Sequence, residues 1–382
     1  MKLSVNYKYP SIEDLRNRAK KRIPKFAFEY LDGGCNEDVN LHKNTSEIRE
    51  VELIPHYIKD FKGTSIKTHL FGHEYDAPFG IAPIGLQGLI WPNAPEILAK
   101  AAFKHNVPFI LSTVTTSSIE RISDLTEGKA WFQLYHPTEE SLLDDILQRV
   151  EAAQCPVLVI LCDVPSFGYR PRDIRNGLSM PPKMTLSNIL QVIGKPAWAL
   201  QTLLKGQPNF ETLKPYMTKN LELQELGKFM NQTFSGRLNF DRIAAIRDKW
   251  KGKLVLKGVA SEADAAKAIE LGLDGIIVSN HGGRQLDVGE STIKPLVRIV
   301  NKYKDQITIM MDSGLRSGPD VARTLASGAE FTFMGRSFMY GVSALGKKGG
   351  DHTISMIKTQ LIQIMEQLNC QKIKELKNSL VK

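Results

Sequence analysis

Residues 274–287 read Asp274-Gly275-Ile276-Ile277-Val278-Ser279-Asn280-His281-Gly282-Gly283-Arg284-Gln285-Leu286-Asp287, an apolar run that passes directly into polar residues and glycines. The apolar run is typical of a fully buried strand. The residues after it combine a titratable base, a backbone with room for a ligand and a fixed cation. A polar loop with a chance histidine is the plainer interpretation, and the length of the pattern disfavours it.

Short apolar runs of the same kind recur along the chain, and helix-like segments follow most of them. The runs lie at 79–82, 108–111, 130–135, 156–161, 253–256, 275–279, 306–311 and 330–334. The helix-like segments include 94–105, 138–153, 261–271 and 317–327, and several open with Ser, Thr or Asn, the favoured N-caps. Eight strand–helix units in one chain predict an α/β fold, a (β/α)8 TIM barrel, rather than a doubly wound sheet.

The length of the chain fits one such barrel with additions. We predict a single domain over 1–382, with an N-terminal cap at 1–75, the barrel at 76–350 and a helical tail at 351–382. The segment 174–240 is far longer than an ordinary loop between strand and helix, which indicates an insertion after the fourth strand that is either functional or disordered.

Composition narrows the possible classes of protein. Hydrophobic residues at 42% and charged residues at 24% are ordinary for a soluble globular chain, and the four cysteines show no metal-ligand spacing, so we expect reduced thiols and no metal site. The N-terminus has no apolar signal-like core, and prolines and glycines break the nearly uncharged stretch 77–94. A net charge of +9 favours an anionic partner such as nucleic acid, a membrane surface or an acidic small molecule.

A TIM barrel predicts where the chemistry should lie, because its active face is built at the C-terminal ends of the strands. Polar side chains suited to chemistry fall at those positions in the sequence. They are Ser112, Gln133, Tyr135, Asp163, Lys257, Ser279, His281, Asp312, Arg316 and Arg336. For Lys257 alone, an exposed lysine at a strand end is the plainer interpretation. Because all ten residues fall at strand ends, we expect them to form one site.

The last two strands carry the features of a phosphate site. The stretch Asp312-Ser313-Gly314-Leu315-Arg316 follows the seventh, and Gly335-Arg336 follows the eighth. Glycines let a phosphate approach backbone N–H groups, guanidinium groups neutralise it, and TIM barrels commonly hold phosphate at this end.

On these residues the chain resembles the FMN-dependent L-2-hydroxy acid oxidoreductases, and its pattern is most similar to bacterial respiratory L-lactate and (S)-mandelate dehydrogenases. The resemblance implies that His281 is the base at the substrate's C2 centre and that Asp163 pairs with it. It also implies that Arg170 and Arg284 clamp the substrate carboxylate. The two active-site tyrosines would be Tyr30 and Tyr135, although core packing is the plainer interpretation of either alone.

The resemblance also assigns residues to FMN. The flavin would lie against Pro83, Ile84 and Gly85, and Lys257 would lie near N1 of the ring, where a fixed ammonium stabilises negative charge. Ser112 and Gln133 would hydrogen-bond the ring, and Ser279 would also contact the cofactor. The ribityl phosphate would be held by Asp312, Gly314, Arg316, Gly335 and Arg336.

Three positions depart from relatives. Leu161 stands where many relatives have threonine, so we expect one flavin hydrogen bond to be missing. Val114 stands where glycolate oxidases carry tryptophan, and Gly85 stands where several oxidases have alanine. Both smaller residues predict a roomier substrate pocket and argue against glycolate as the favoured substrate.

The stretch 178–220 within the insertion contains both clusters of apolar residues and several lysines. Its apolar residues are Leu186, Ile189, Leu190, Ile193, Trp198, Leu200, Leu203 and Leu204, and its charges are Lys183, Lys195, Lys205, Lys214 and Lys219 against Glu211. This composition predicts an anchor on an anionic membrane surface. The alternative is a lid that packs on a neighbouring subunit, since the resemblance implies a homo-oligomer, with a tetramer favoured.

The sequence therefore predicts oxidation of an L-2-hydroxy acid, with L-lactate converted to pyruvate and electrons passed to quinone at the inner face of the cell membrane. A mandelate dehydrogenase and a peroxide-forming oxidase are the alternatives within the family. A catalytically inactive flavin-binding scaffold is the alternative from another class, and nucleic-acid binding is disfavoured. Whether His281 removes the hydroxyl proton or the carbon-bound proton stays open.

Overall fold

The computed structural model describes residues 7–178, 185–206, 208–217, 233–234 and 237–381. Ten strands occur in this part of the chain. They are β1 (Thr68–Leu70), β2 (His73–Tyr75), β3 (Phe79–Ile81), β4 (Ile110–Ser112), β5 (Trp131–Leu134), β6 (Val157–Leu161), β7 (Lys253–Val259), β8 (Gly275–Val278), β9 (Thr308–Met311) and β10 (Phe331–Met334).

Strands β3 to β10 form one eight-stranded parallel sheet in the order β3-β10-β9-β8-β7-β6-β5-β4. A parallel bridge between Ile81 and Phe109 brings the two ends of this sheet together. The (β/α)8 barrel predicted from the sequence is confirmed.

The strand ends differ from the predicted ones by a few residues, for identifiable reasons. Strands β4 and β6 begin after Pro108 and Pro156, which lack a backbone N–H for the ladder. Strand β7 continues past its predicted end at Leu256 through a register shift at Gly258, whose φ of +103° is accessible to glycine.

The helices surround the barrel and form its two terminal additions. They are α1 (Ile12–Arg22), α2 (Lys25–Asp32), α3 (Val39–Arg49), α4 (Gln87–Ile90), α5 (Ala94–Lys104), α6 (Ile119–Thr126), α7 (Glu140–Ala152), α8 (Pro171–Arg175), α9 (Leu186–Ile193), α10 (Pro196–Lys205), α11 (Phe240–Lys249), α12 (Glu262–Glu270), α13 (Ile293–Tyr303), α14 (Gly318–Ala326), α15 (Arg336–Leu345) and α16 (Gly349–Gln367). Short 3-10 helices lie at Lys214–Tyr216, Gly346–Lys348 and Ile373–Ser379. Side chains of Ser118, Asn239 and Ser261 cap the helices that follow them.

The amino-terminal end of the barrel is filled and covered. Side chains from strands β4 to β10, including Trp131, Phe331 and Phe333, pack in the interior with the β1–β2 hairpin. The ring of Phe71 lies 5.8 Å from that of Trp131, whose indole N–H donates to the Tyr75 hydroxyl at 3.3 Å. The hairpin therefore closes this end, and the site can form at the opposite end.

The N-terminal helices bring further residues to the carboxyl end of the barrel. Helix α1 packs along α15, and α2 follows it and presents Tyr30 to the site cavity. Helix α3 lies under the loop after β8, where Asp287 accepts hydrogen bonds from the backbone N–H groups of Glu37 and Asn40. The predicted division into cap, barrel and tail remains a prediction.

The insertion after β6 contributes α8, α9 and α10. Trp198 is 5% exposed, packs edge-on against Phe26 at 5.8 Å and donates its indole N–H to the Ile90 carbonyl at 3.1 Å. The prediction that Trp198 belongs to a membrane-facing surface is therefore corrected, because this side chain attaches the insertion to the barrel. The predicted residues Lys183 and Lys219 lie outside the described residues.

The other apolar side chains predicted in this segment remain uncovered. Leu203 is 80% exposed and Leu186 is 73% exposed, and the remaining exposed ones are Ile189, Leu190, Ile193, Leu200 and Leu204. Across the described ranges, no helix has both the length and the apolar character needed to cross a bilayer.

Candidate active site

A cavity of about 510 Å³ opens at the carboxyl end of the barrel. Seventeen of the residues predicted for the site line it together: Tyr30, Pro83, Ile84, Gly85, Ser112, Val114, Gln133, Tyr135, Arg170, Lys257, His281, Arg284, Asp312, Gly314, Arg316, Gly335 and Arg336. Asp163 and Ser279 lie directly behind this wall, in contact with His281 and Lys257. The barrel thus brings into one place residues that are separated by up to about 300 positions in the sequence.

His281 and Asp163 form a pair at the ends of β8 and β6. The Nδ1 atom of His281 lies 3.0 Å from Oδ1 of Asp163. His281 has a φ of +58°, a left-handed conformation that is uncommon for a residue with a side chain. Its backbone N–H donates to Ser279 Oγ at 3.1 Å, and the N–H of Gly282 donates to Ser313 Oγ at 2.8 Å. These contacts hold the strained turn that presents the imidazole to the cavity.

Burial lowers the pKa of His281, and the nearby Asp163 carboxylate opposes that shift. Burial would raise the pKa of Asp163, but the charge of Lys257 and the interaction with His281 outweigh it and lower that pKa. The pair is therefore a neutral imidazole held against an ionised carboxylate near neutral pH. This arrangement suits a general base whose protonated form is stabilised when it takes a proton.

A group of asparagines behind the histidine was not singled out from the sequence. The amide of Asn280 donates to Asn40 Oδ1 and Asn44 Oδ1, each at 2.7 Å, and receives a hydrogen bond from Asn44 at 2.8 Å. Asn40 and Asn44 are buried on α3. The network attaches the loop after β8 to helix α3. No local sequence pattern predicts it, because its members lie far apart in the chain.

Lys257 is buried at the end of β7 among anionic and polar groups. Its ammonium lies 3.2 Å from Asp312 Oδ2 and 3.7 Å from Asp163 Oδ2, and it donates to Ser279 Oγ at 2.9 Å. Burial would lower the pKa of Lys257, but Asp312 and Asp163 outweigh it and raise that pKa, so the ammonium stays charged. Asp312 therefore pairs with the lysine, and its contact with the ribityl phosphate stays a prediction.

Backbone carbonyls fix the two arginines expected to bind a carboxylate. Nη1 of Arg284 donates to the carbonyl oxygens of Tyr30 and Gly33, at 2.7 and 2.8 Å. Arg170 donates from Nε to the Arg284 carbonyl at 3.3 Å and from Nη2 to Gln285 Oε1 at 2.9 Å. Burial lowers the pKa of Arg170 to about 10, and the neighbouring Arg284 adds to that shift, yet the guanidinium remains charged at neutral pH.

The two predicted tyrosines line the same cavity. The guanidinium of Arg284 lies over the Tyr30 ring, 5.0 Å from its centroid. The ring of Tyr135 packs edge-on against Phe234 at 6.0 Å. Burial raises the pKa of both phenols, so each hydroxyl stays protonated and can donate a hydrogen bond to a bound anion.

The opposite wall fits a flat ring with hydrogen-bond acceptors. Ser112 Oγ donates to Gln133 Oε1 at 3.0 Å, which orients the amide. Nε2 of Gln133 is buried and has no hydrogen-bond partner in the described chain. A buried amide without a partner at a cavity wall indicates a ligand acceptor. Leu161 lines the same wall and offers no hydroxyl, as the sequence predicts.

The two arginines at the predicted phosphate end of the cavity, Arg316 and Arg336, differ in their contacts. The Arg336 guanidinium donates to three backbone carbonyls, those of Leu31, Gly33 and Gly282, at 2.8–3.0 Å. We therefore propose that Arg336 contributes the N-terminus of α15, which begins at that residue, rather than its side chain. Gly314, whose φ is +91°, and Arg316 line the same cavity.

Several lining residues went unpredicted. Among them are Phe167, Asp173, Leu178 and Phe210, which come from the segment after β6. The length of that segment signalled function, but the individual positions carry no local pattern.

At the predicted small position, a Cβ added to Gly85 would lie 2.8 Å from Cγ2 of Val114. Gly85 and Val114 therefore limit the same part of the wall.

The site combines a (β/α)8 barrel, a histidine–aspartate pair, two buried arginines, a buried lysine and a helix N-terminus. This combination is suited to an oxidoreductase that binds a phosphate-bearing cofactor and a small organic acid. Residues 19–382 match the family model for FMN-dependent dehydrogenases, and the chain belongs to that family.

The chain is also similar to curated and solved proteins over nearly all its length. An L-lactate dehydrogenase of Vibrio parahaemolyticus serotype O3:K6 is 36% identical over 371 residues, covering 97% of this chain and 98% of that protein. An L-lactate dehydrogenase of Caulobacter sp. strain K31 is 35% identical over 352 residues, covering 92% of each. The crystal structure of the monotopic membrane protein (S)-mandelate dehydrogenase has 32% identity and a TM-score of 0.93, covering 98% of this chain and 100% of that chain.

A soluble mutant of the membrane-associated (S)-mandelate dehydrogenase from Pseudomonas putida has 30% identity and a TM-score of 0.83, with 98% of this chain and 99% of that chain covered. The protein is an FMN-dependent 2-hydroxy acid dehydrogenase. FMN supplies the two-electron oxidant of this reaction when it is bound.

Proposed function

We propose that the protein oxidises L-lactate to pyruvate. One observation carries this proposal: the imidazole of His281 lines the same cavity as the guanidinium groups of Arg170 and Arg284. The two cations can fix a planar carboxylate and so place the adjacent C2 centre of a 2-hydroxy acid at the base. The similarity to curated L-lactate dehydrogenases supports lactate as the acid.

The proposed roles follow from these contacts. Arg170 and Arg284 bind the carboxylate, and the hydroxyls of Tyr30 and Tyr135 donate hydrogen bonds to it or to the C2 oxygen. His281 takes a proton from the substrate, and Asp163 stabilises the imidazolium that forms. Lys257 supplies a fixed positive charge toward the flavin ring.

L-mandelate-type acids are the second candidate. Gly85 and Val114 leave space where larger side chains would fill the wall, and Phe167, Leu178 and Phe210 add apolar surface to the cavity. The similarity in fold to (S)-mandelate dehydrogenase supports this candidate as well.

Anaerobic visible spectroscopy of the purified holoenzyme tests the proposal. We expect L-lactate to bleach the flavin absorbance and D-lactate and glycolate to leave it unchanged. Bleaching by L-mandelate alone would move the assignment to the second candidate. Loss of bleaching with every 2-hydroxy acid would overturn the proposed reaction and favour the inactive scaffold.

We further propose that the electrons pass to a quinone at a membrane surface. The uncovered leucines of α9 and α10 support an interfacial contact, and the similarity to monotopic and membrane-associated mandelate dehydrogenases agrees with it. Lys205 is exposed beside these leucines, whereas Lys195 donates to the Lys21 carbonyl at 2.8 Å and supports the attachment of the insertion. We propose on this basis that the protein lies peripherally on the inner face of the cell membrane.

Vesicle sedimentation tests the surface. We expect the protein to bind vesicles that contain phosphatidylglycerol, and Leu203→Ser to weaken that binding about threefold or more. Ile58→Ser is the matched control, because Ile58 is also fully exposed but lies outside the insertion. Equal binding by the two variants would argue against the insertion as the anchor. Sedimentation velocity without vesicles would check the expected tetramer.

The electron acceptor is tested separately. After anaerobic reduction by substrate, we expect rapid recovery of the flavin absorbance with a soluble quinone and slow recovery in air. Rapid recovery in air would instead establish an oxidase that forms hydrogen peroxide.

A further inference from the structure

One carboxylate lies among the groups that bind the substrate carboxylate. Asp173, on α8, lines the cavity and is 7% exposed. Its Oδ2 atom lies 3.9 Å from Nη1 of Arg170 and 3.8 Å from Nη2 of Arg284. A single oxygen therefore faces both guanidinium groups, in a site that is proposed to receive another carboxylate.

Asp173 does not hold the arginines in position. Carbonyl oxygens and Gln285 do so, through Nη1 of Arg284 and through Nε and Nη2 of Arg170. The separations from Asp173 exceed hydrogen-bond length, and in the described part of the chain its carboxylate accepts no hydrogen bond. Its contribution is therefore charge rather than orientation.

The nitrogens nearest to Asp173 are also the ones available to a ligand. Nη1 of Arg170 and Nη2 of Arg284 donate to no acceptor within the described residues, and both face Oδ2 of Asp173. A substrate carboxylate would use these same donors. The negative charge of Asp173 offsets two buried cations while the site is empty, and it repels the carboxylate that replaces water there.

We propose that Asp173 is the internal counter-ion of the carboxylate clamp, and that its charge weakens the binding of 2-hydroxy acids and of the 2-oxo acids formed from them. This inference rests on the proposed function, because it requires Arg170 and Arg284 to bind the substrate carboxylate. The consequence for the enzyme is faster release of the anionic product, at the expense of affinity.

The charged surroundings of Asp173 are Arg170, Arg284, Arg172 and Glu29. Burial raises the pKa of the Asp173 carboxyl, and the two clamp arginines oppose that shift. Binding is therefore measured at about pH 8, roughly four units above the ordinary pKa of an aspartate, where the carboxyl is ionised.

The test measures dissociation constants of the holoenzyme by calorimetry, independently of turnover. The ligands are pyruvate and phenylglyoxylate, each compared with its neutral amide. We expect Asp173→Asn to bind both acids about tenfold more tightly, about 1.4 kcal/mol, and to bind the amides as the wild type does. Asp241→Asn is the control, because it removes an exposed carboxylate from the first turn of another helix and should change neither constant.

The comparison of acids with their neutral amides separates an electrostatic role of Asp173 from a structural one. A variant that merely misplaced the arginines would bind the acids more weakly, and that result, or an unchanged acid-to-amide ratio, would overturn the inference. Asp173→Ser removes the same charge with a shorter side chain and should reproduce the acid selectivity if Asp173→Asn fails to fold. Failure of the wild type to bind either acid would overturn the proposed function and the inference together.

Discussion

The imidazole of His281 contacts the carboxylate of Asp163 at 3.0 Å while its own backbone occupies the left-handed region, at a φ of +58°. The partner carboxylate is held in turn by the buried ammonium of Lys257, 3.7 Å away. His281, Asp163 and Lys257 therefore form one electrostatic unit across β6, β7 and β8. A change to any member should alter the pKa values of the others.

Asp163→Asn should impair proton transfer without emptying the site. Loss of the carboxylate lowers the pKa of His281 further, because Asp163 opposes the shift caused by burial. The acid limb of the kcat/KM profile reports the protonation of the base, so it should move to lower pH, while the plateau falls by about 10²- to 10³-fold. Steady-state rates across pH test both effects, with the exposed Asp124→Asn as control. An acid limb that moved to higher pH would contradict the assigned pair.

His281→Ala should leave a folded, yellow protein with almost no turnover. The residues proposed to contact the ring, such as Gln133 and Lys257, are untouched, whereas the proton acceptor is lost, at a cost of about 10⁴-fold in the rate of flavin bleaching. Stopped-flow absorbance measures this rate. The exposed His73→Ala should behave as the wild type, and substantial bleaching by His281→Ala would remove the histidine from its proposed role.

Lys257→Met should destabilise the protein through the charges that it leaves behind. Asp163 and Asp312 would both remain buried without their cation, which typically costs about 3–5 kcal/mol. Urea unfolding of the holoenzyme measures the loss. The double variant Lys257→Met/Asp312→Asn should recover part of it, because one uncompensated carboxylate is removed. No recovery would mean that the lysine stabilises the fold by other contacts.

Gly85→Ala should reduce the space for large substrates. The added Cβ would lie 2.8 Å from Cγ2 of Val114, closer than van der Waals contact, so the wall must shift. We expect the KM for L-mandelate to rise more than the KM for L-lactate. Val114→Ala removes the opposing methyl groups and, combined with Gly85→Ala, should restore the ratio of the two KM values. A ratio unaffected by either change would place the side-chain pocket elsewhere.

Trp198→Ala should loosen the insertion from the barrel. The buried indole loses its contact with Phe26 and its hydrogen bond to Ile90, and such truncations cost about 3–5 kcal/mol. Limited proteolysis and amide hydrogen exchange of α9 and α10 should show faster opening. Leu200→Ala, at a side chain 56% exposed, is the matched control and should have little effect.

Much of the site could be predicted from the sequence because many of its residues stand at the end of a recognisable strand, whereas Tyr30 and Arg170 were named only through the family resemblance. His281, Lys257, Gln133 and Arg316 were all identified in this way, and the structure brings them into one cavity. The role of Trp198 was mistaken because a tryptophan among leucines and lysines has the composition of an interfacial segment whether it faces lipid or the core. Composition does not record which side of a short helix is covered.

The sequence by itself determined the barrel, the positions of the strands and the chemical types present at their ends, since apolar periodicity and strand-end polarity are local properties. Only the tertiary structure decided which partners the buried charged side chains have. It placed Asp312 on Lys257, turned the Arg336 guanidinium to three carbonyls and set Asp173 between two arginines. These pairings depend on distances between segments far apart in the chain, and Coulomb interactions in a buried site are decided by those distances.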